Sequence, residues 1–571
     1  MKILQHYLAL VGAIALGTAL RFWNLDFKPL WMDEVITALF SLGQSYNDIP
    51  LNVAFPLNKL EQIFTLKPGV TCPQIAHTVA TQSTHPPLFF CLMYQWLKVI
   101  DFDSVHSLAW KLRSLPALAG VGAIAAIYCL NRVAFSPAAG LAGAAVIAVS
   151  PFAVYLSQEA RHYTLPMLLI VLALFGLIQI QKDVSRQQQT RPIVWLFWTA
   201  INSINFYVHY FSILAFTAQV ATFICPQENR EKTINNSPYM PLFLLPFAFF
   251  LPGIITLIGY SSQNETDWLK LANPIAPLYQ TLVGWLIFTI ALPVEKQPLW
   301  IQIPAALLMI LFASYLWRHF WWKLRQLCSS SSTQTSAQML RNFIFYVLLQ
   351  NFIIVYLLGK DITLAPRYNY VYFPALCALI GASLVKNKRI EIKQSKAKYL
   401  LWILLLSGIM SSVFVTSNLA FQKPYHPQKA AADMSLNSEI PLLVTVGYKN
   451  FQDVALGLSF ALEIRDRYPH HNDSGVYLAF LPRNSAEVVP AISGYKTVWE
   501  SLSLLQDLPA GSLNLWVVGT ELNQPDYPPH LSLLGKSLDS SVVKRICNID
   551  IDRYHSMGVS YQLYRCQEID A

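Results

Sequence analysis

The sequence predicts a mainly α-helical, polytopic membrane bundle of about 11–13 spanning helices that ends in a small α/β domain. Three observations carry this. Of 571 residues, 54% are apolar and only 13% charged, whereas soluble proteins carry about 25% charged residues. Eleven apolar runs are each long enough to cross a bilayer. From about Phe421 onward the chain becomes far richer in charge and its apolar runs shorten to strand length.

The elements follow in order. Lys2 precedes an apolar run from Ile3 to Leu20, and Arg21-Phe22-Trp23 reads as its interfacial end. With no small-x-small cleavage signal after it, this run is expected to be an uncleaved first span. Further runs begin near Leu115, Ala138, Tyr163, Ile193, Phe211, Pro241, Ile301, Asn342, Tyr370 and Tyr399. Two shorter stretches, Pro86–Ile100 and Pro277–Leu292, are read as interfacial or re-entrant helices.

Orientation follows from the basic loops. Lys182, Arg186 and Arg191 mark one inner loop, Arg230 and Lys232 a second, Arg318, Lys323 and Arg325 a third, and Lys386 to Lys398 a fourth. With the N-terminus inside and eleven crossings, all four fall inside. The C-terminal part then falls outside. The expected division is a transmembrane module over 1–419, with a first outer loop at 23–85, and an extracytoplasmic domain over 420–571. In the latter, Pro441–Val446, Gly475–Phe480, Leu513–Val518 and Ser560–Tyr564 read as strands, and Phe451–Ile464 as a helix. No internal repeat is present, and Ser329–Ser336 is a low-complexity inner loop.

The net charge of +9 sits in those short basic loops, where it sets orientation and meets anionic headgroups. No nucleic-acid partner is expected. The eight cysteines lack metal-site spacing. Cys91, Cys129, Cys225 and Cys377 lie in or beside apolar runs and are expected to pack as small hydrophobes. Cys547 and Cys566 could pair in an oxidising compartment.

Four polar groupings stand out at the outer ends of the spans. Asp33-Glu34 follows the first span; a carboxylate there can act as general base, and the competing reading is a helix-start pair. His85-Pro86-Pro87 would hold an imidazole rigidly at the surface, or simply open a helix. Ser157-Gln-Glu159-Ala-Arg161-His-Tyr163 is unusually polar for a turn between membrane helices, and Arg161 can fork onto a phosphate. Arg367, in Pro366-Arg-Tyr368, is an outer arginine against the positive-inside bias, which suggests an anion, with snorkelling as the plain alternative. His209-Tyr210 is a weaker candidate. Asn235, Asn264 and Asn472 begin chance-level glycosylation triplets. There is no Gly-rich phosphate loop and no dinucleotide fingerprint, which disfavours a nucleotide-sugar donor.

Taken in order, Arg21-Phe-Trp-Asn-Leu, Lys28-Pro-Leu-Trp-Met-Asp33-Glu34, Thr84-His-Pro-Pro-Leu, Trp110-Lys-Leu-Arg113-Ser-Leu-Pro, Tyr155-Leu-Ser-Gln-Glu159-Ala-Arg161-His-Tyr163 and Pro366-Arg367-Tyr368 resemble the bacterial protein mannosyltransferase-like and aminoarabinose transferase-like group, glycosyltransferase family 39. The resemblance covers about Leu4–Val415 and implies the GT-C membrane fold. It implies a polyprenyl-phosphate sugar donor, one-step inverting transfer, and Asp33 as base with Glu34 beside it. By the same resemblance Arg113, Arg161 and Arg367 become candidates for the donor phosphate, and Glu159, Tyr163 and His85 candidates for the substrate site. The chain departs from the pattern where many relatives carry an Asp in the second outer loop and Glu159 stands here instead. Metal use varies across the superfamily. A divalent ion at His85 and Glu159 is therefore open, and no cofactor is required by the sequence. The expected partners are the donor, membrane lipid and an acceptor that is protein, lipid or glycan. A bacterial plasma membrane with the site outside the cytoplasm is the expected setting. Two other classes compete: a flippase for lipid-linked sugars, which would favour charges at the midplane and paired halves, and a non-catalytic envelope scaffold.

Overall fold

The computed structural model describes residues 2–100, 107–185, 191–224, 242, 245–249, 251, 268–385, 394–435, 440–467, 475–484, 494–506, 508–509, 511–536, 542–556 and 558–569. The chain forms two compact units, one from Met1–Lys28 with Val79–Gln422, the other from Pro29–Thr78 with Lys423–Ala571. Residues 29–78, most of the segment read as the first outer loop, therefore group with the C-terminal part.

The first unit is helical. Its helices include α1 (Lys2–Phe22), then α5 (Leu88–Ile100), α6 (Leu108–Ala134), α7 (Pro137–Val149), α8 (Pro151–Ser157), α9 (Thr164–Ser185), α10 (Pro192–Phe206) and α11 (Ser212–Ile224). Next come α12 (Ala276–Ile287), α13 (Leu299–Ser329), α14 (Gln334–Leu357), α15 (Phe373–Ser383) and α16 (Gln394–Thr416). Among the described residues, six helices are long and apolar enough to cross a membrane, and the α7–α8 pair, bent by 60°, would make a seventh. That is fewer than the eleven runs read from sequence. The runs near Ile193 and Phe211 give helices of 15 and 13 residues. The run near Tyr370 begins as a 3-10 turn, Pro366–Val371, before the 11 residues of α15. The run near Pro241 lies mostly outside the described residues. At 1.5 Å per residue, the 13 residues of α5 and the 12 of α12 reach about 20 Å, short of a hydrocarbon core of about 30 Å.

Hydrogen bonds that cross between helices fix this unit. Arg21, fully buried in α1, donates to the Ala148 and Ile147 carbonyls at 3.0 Å each. Those carbonyls close α7 just before Ser150-Pro151, where proline interrupts the helical ladder and the chain bends. Asn131 of α6 donates to Ala139 O at 3.2 Å and Ala378 O at 2.9 Å. Ser412 of α16 donates to Val149 O at 2.9 Å. Close approach needs small residues: a Cβ on Gly381 would come within 2.4 Å of the Gly143 Cα.

The second unit contains α2 (Met32–Ser41), α3 (Lys59–Ile63) and most of α4 (Cys72–Gln82), with α17 (Pro427–Met434), α18 (Phe451–Arg467) and α19 (Lys496–Ser503). Its strands are β1 (Ala54–Pro56), β2 (Leu442–Tyr448), β3 (Val476–Pro482), β4 (Leu513–Gly519), β5 (His530–Lys536), β6 (Val542–Ser556) and β7 (Ser560–Ile569). They form one sheet in the order β1-β3-β2-β4-β7-β6-β5. The β2–β3 and β2–β4 pairs are parallel. The edge strand β1, contributed by Pro29–Thr78, runs antiparallel to β3. Alternate residues of β2 face opposite helices: Gly447 lies under Tyr495, and Val446 against Gly457 of α18. Cys547 and Cys566 are cross-strand neighbours on β6 and β7 and form a disulfide. Cys91 is also disulfide-bonded, a correction to its expected role as a free core thiol, whereas Cys377 is a free buried one.

Because the Gly381 contact is with backbone, Gly381→Val is expected to lower the melting temperature of the detergent-purified protein, by a destabilisation of about 1–3 kcal/mol. Gly12→Ala, where an added Cβ meets nothing within 4 Å, should leave it unchanged; equal melting of all three proteins would contradict the packing described.

Candidate functional site

In the helical unit, a turn of six residues joins α8 to α9, and all six are buried. Gln158 Nε2 donates to Trp23 O at 2.7 Å, which ties this turn to the end of α1. The Arg161 N–H donates to Glu159 O at 2.7 Å, tightening the turn. The Arg161 guanidinium, 4% exposed, lies with one nitrogen 3.1 Å from His85 Nε2. A guanidinium only donates, so His85 Nε2 accepts and its proton sits on Nδ1, 3.2 Å from Ser83 Oγ. Pro86 and Pro87 follow directly and stiffen the backbone that presents this ring.

His85 belongs to a cluster of three imidazoles. The His85–His162, His162–His209 and His85–His209 ring centres are 4.8, 4.5 and 6.5 Å apart. Tyr163 and Tyr370 pack on His209 at 5.7 and 5.2 Å, and Phe89 meets His162 at 5.8 Å. Tyr368 continues the wall, 6.3 Å from Tyr163. The Phe211 N–H donates to His209 Nδ1 at 3.0 Å, so the His209 proton sits on Nε2. Among the described residues, His209 Nε2 and both ring nitrogens of His162 are buried and have no hydrogen-bond partner.

Arg367 lies over the rings of Tyr368 and Trp268, 5.7 and 5.9 Å from their centres. Burial first, then the charges of Arg161 and Arg367, hold His85 well below the ordinary histidine range. For His162 the order is burial, the neighbouring His209 and His85, then both arginines. For His209 it is burial, then His85 and Arg161. All three rings are therefore uncharged at neutral pH, and two guanidinium charges bear on one cluster of neutral aromatic rings.

The remaining sequence candidates occupy different places. Glu159, 3% exposed, takes a hydrogen bond from the Tyr155 side chain and shares the turn with Arg161. Arg113 donates to Leu25 O at 2.9 Å and Lys28 O at 2.7 Å, where the chain leaves α1. Asp33 and Glu34 lie in the other unit, in the first turn of α2, where helix polarity favours acidic residues. There Glu34 Oε2 accepts from Trp31 N–H at 3.4 Å, and Tyr425 Oη accepts from Met32 N–H at 2.6 Å. Sequence reasoning missed His162 and Tyr370 and underrated His209; the available signal was three histidines each at the end of an apolar run.

Among the described residues no group of three or more His, Cys, Asp or Glu is placed to hold a metal ion. His85 Nε2 is turned to Arg161 and its Nδ1 carries the proton, so in this arrangement the ring presents no lone pair to a metal.

Residues 84–255 match the family described as dolichyl-phosphate-mannose-protein mannosyltransferase. No curated protein sequence matches the chain. Among solved structures, the chain is similar to ArnT from Cupriavidus metallidurans bound to undecaprenyl phosphate, with 11% identity, a TM-score of 0.49 and 97% of each chain covered. It is also similar to the oligosaccharyltransferase AglB from Archaeoglobus fulgidus in complex with an inhibitory peptide and a dolichol-phosphate. There the identity is 14% and the TM-score 0.42, over 81% of this chain and 64% of that one. The family match spans the motifs at Thr84–Leu88, Trp110–Pro116 and Tyr155–Tyr163 and agrees there with the resemblance they carry.

The histidine cluster makes stability depend on pH with a definite sign. Each ring is neutral when folded and takes up a proton near pH 6.5 when unfolded. Its contribution is full above about pH 6.5 and is lost as the pH falls below that. The melting temperature should therefore drop between about pH 7.5 and pH 5, and drop less in His162→Gln; identical pH dependence in the two proteins would contradict the assigned charge state.

Proposed function

We propose that this protein transfers a sugar from a polyprenyl-phosphate donor to an acceptor hydroxyl or amine at the extracytoplasmic face of a membrane. The observation that carries the reading is the placement of two arginines along one aromatic wall, Arg161 3.1 Å from His85 Nε2 and Arg367 over the ring of Tyr368, which lies 6.3 Å from Tyr163. The family match over 84–255, which includes Arg161, supports it.

The chemistry follows from charge. The donor is a phosphodiester with one negative charge. When the anomeric C–O bond to phosphate breaks, the lipid phosphate leaves with a second. Guanidinium groups fixed beforehand stabilise that gain without reorganising, and their forked donors suit phosphate oxygens. Neutral histidines leave that positive field uncontested and add no like charge. The leaving group needs little help from an acid. The acceptor is a weak nucleophile and needs a base, the role assigned to Asp33, which takes the acceptor proton as the new anomeric bond forms on the opposite face. Arg113 serves this scheme by holding the chain at Lys28, five residues before Asp33. Glu159, Tyr163 and His85 are the further substrate-binding candidates of the helical unit, and Glu34 is the catalytic candidate next to Asp33 in sequence. The Cys547–Cys566 disulfide supports an extracytoplasmic C-terminal domain, since such bonds persist in oxidising compartments.

Transfer from labelled polyprenyl-phosphate sugars by the lipid-reconstituted protein tests this reading. Asp33→Asn should lose about 10²–10⁴-fold in kcat, the range for removing a general base, with its melting temperature retained. Equal turnover in the two proteins would remove Asp33 as base, and no turnover of any such donor by the wild type would move lipid-linked sugar transport to the front.

A further inference from the structure

The α/β unit contains the segment that carries Asp33. Residues Pro29–Thr78 are part of that unit. They supply its edge strand, with Ala54 opposite Ala479 and Phe55 opposite Leu478. Helix α2 packs on α18, and just beyond α2 the Tyr46 ring stacks flat on Phe451, with 3.9 Å between centres and 1° between planes. The first outer loop is thus folded into the domain formed by the far end of the chain.

The start of α2 is held in an unusual way. The first amides of a helix have no partner within it and are commonly capped by the residue just before. Here that residue is Trp31, which makes no side-chain cap. The amide of Met32 instead donates to the hydroxyl of Tyr425, 393 residues away in sequence. Tyr425 is itself fixed: it is 3% exposed, its ring meets Phe460 edge-on at 5.7 Å, and Ser459 Oγ lies 3.5 Å from its hydroxyl. The Lys423 ammonium sits 3.9 Å from the centre of the Trp31 ring. Burial, with the negative charges of Asp33 and Glu34 adding to it, pushes the phenol above its ordinary range, so it stays protonated and neutral.

We infer that the α/β unit is the mount of the proposed base, and that Tyr425 is a positioning residue that fixes the first turn of α2 and with it the Asp33 carboxylate. This rests on the reading of Asp33 as general base. Asp33 directly follows the amide that Tyr425 holds, so any roll or fraying of that turn moves the carboxylate. A base must stay within hydrogen-bond reach of its proton, and a displacement of about 1 Å is worth about a hundredfold in rate. The C-terminal domain then has a defined task in catalysis.

The test removes one hydrogen bond from either side. Tyr425→Phe deletes the acceptor and keeps the ring. Met32→Pro deletes the donor at the first helical position, where proline is well accommodated, after a Trp31 backbone that is already extended (φ −95°, ψ 168°). In the reconstituted full-length protein, each is expected to lower kcat by about ten- to a hundredfold with the donor KM unchanged. Amide exchange over 32–41 should be faster in both. The double variant should be no worse than either single one, because both remove the same contact. A wild-type kcat in Tyr425→Phe overturns the inference. So do losses that multiply in the double variant, or a shift in KM instead of kcat. Should Tyr425→Phe fail to fold, Met32→Pro alone decides by the same kcat and exchange readouts. Asp33→Asn is run alongside: if it keeps wild-type turnover, the base assignment itself falls, whereas an inactive Asp33→Asn beside an unaffected Tyr425→Phe removes only the positioning role.

Discussion

A polar group inside a body surrounded by hydrocarbon must find its partners within that body, and the helical unit is organised by this constraint. The buried guanidinium of Arg21 is spent on the carbonyls that end α7. Asn131 spans two helices through Ala139 and Ala378. Arg113 closes on the carbonyls of Leu25 and Lys28. Each of these polar side chains acts as a tie between backbone segments, so the bundle is specified by a few directional bonds laid over non-directional apolar packing.

The same constraint marks the candidate site by its exceptions. Among the described residues, His162 and His209 keep buried ring nitrogens without hydrogen-bond partners, and the charge of Arg161 bears on both, that of Arg367 on His162. Charged imidazoles could not persist there, which is why burial and the neighbouring guanidiniums keep the rings neutral. What results is a rigid aromatic wall that leaves a positive field in place. That arrangement suits an anion whose charge grows during reaction, and a lipid phosphate leaving a sugar is such an anion.

Much of the fold was legible because its signals are local. Long apolar runs at α1, α6, α9, α13, α14 and α16 gave spans, and four of the strands in the C-terminal domain showed apolar, strand-length runs. Strands β5 and β6 were missed because β6 carries Lys544, Arg545, Asp550, Asp552 and Arg553, a pattern that does not alternate cleanly. β1 was missed because three residues in a loop become a strand only through β3. For the site, Arg161, His85, Tyr163 and Arg367 could be named in advance, since polar residues at the ends of apolar helices are conspicuous. Their company could not. His162 is next to Arg161 in sequence, but its tilted and edge-on contacts with His85 and His209 are long-range facts. Arg113 could be named too, but its bonds to the Leu25 and Lys28 carbonyls lie 88 and 85 residues away in sequence. Tyr425 had no signal at all, because its partner is 393 residues away.

The assignment of Arg161 and Arg367 to the donor phosphate is tested most directly by equilibrium binding of a radiolabelled polyprenyl phosphate to the purified protein. Arg161→Gln and Arg367→Gln, each with its melting temperature checked, should bind at least about tenfold more weakly, a difference of about 1.4 kcal/mol. The wild-type affinity should fall with salt more steeply than that of either variant. Unchanged affinity and unchanged salt dependence in both folded variants would contradict the assignment and place the phosphate elsewhere.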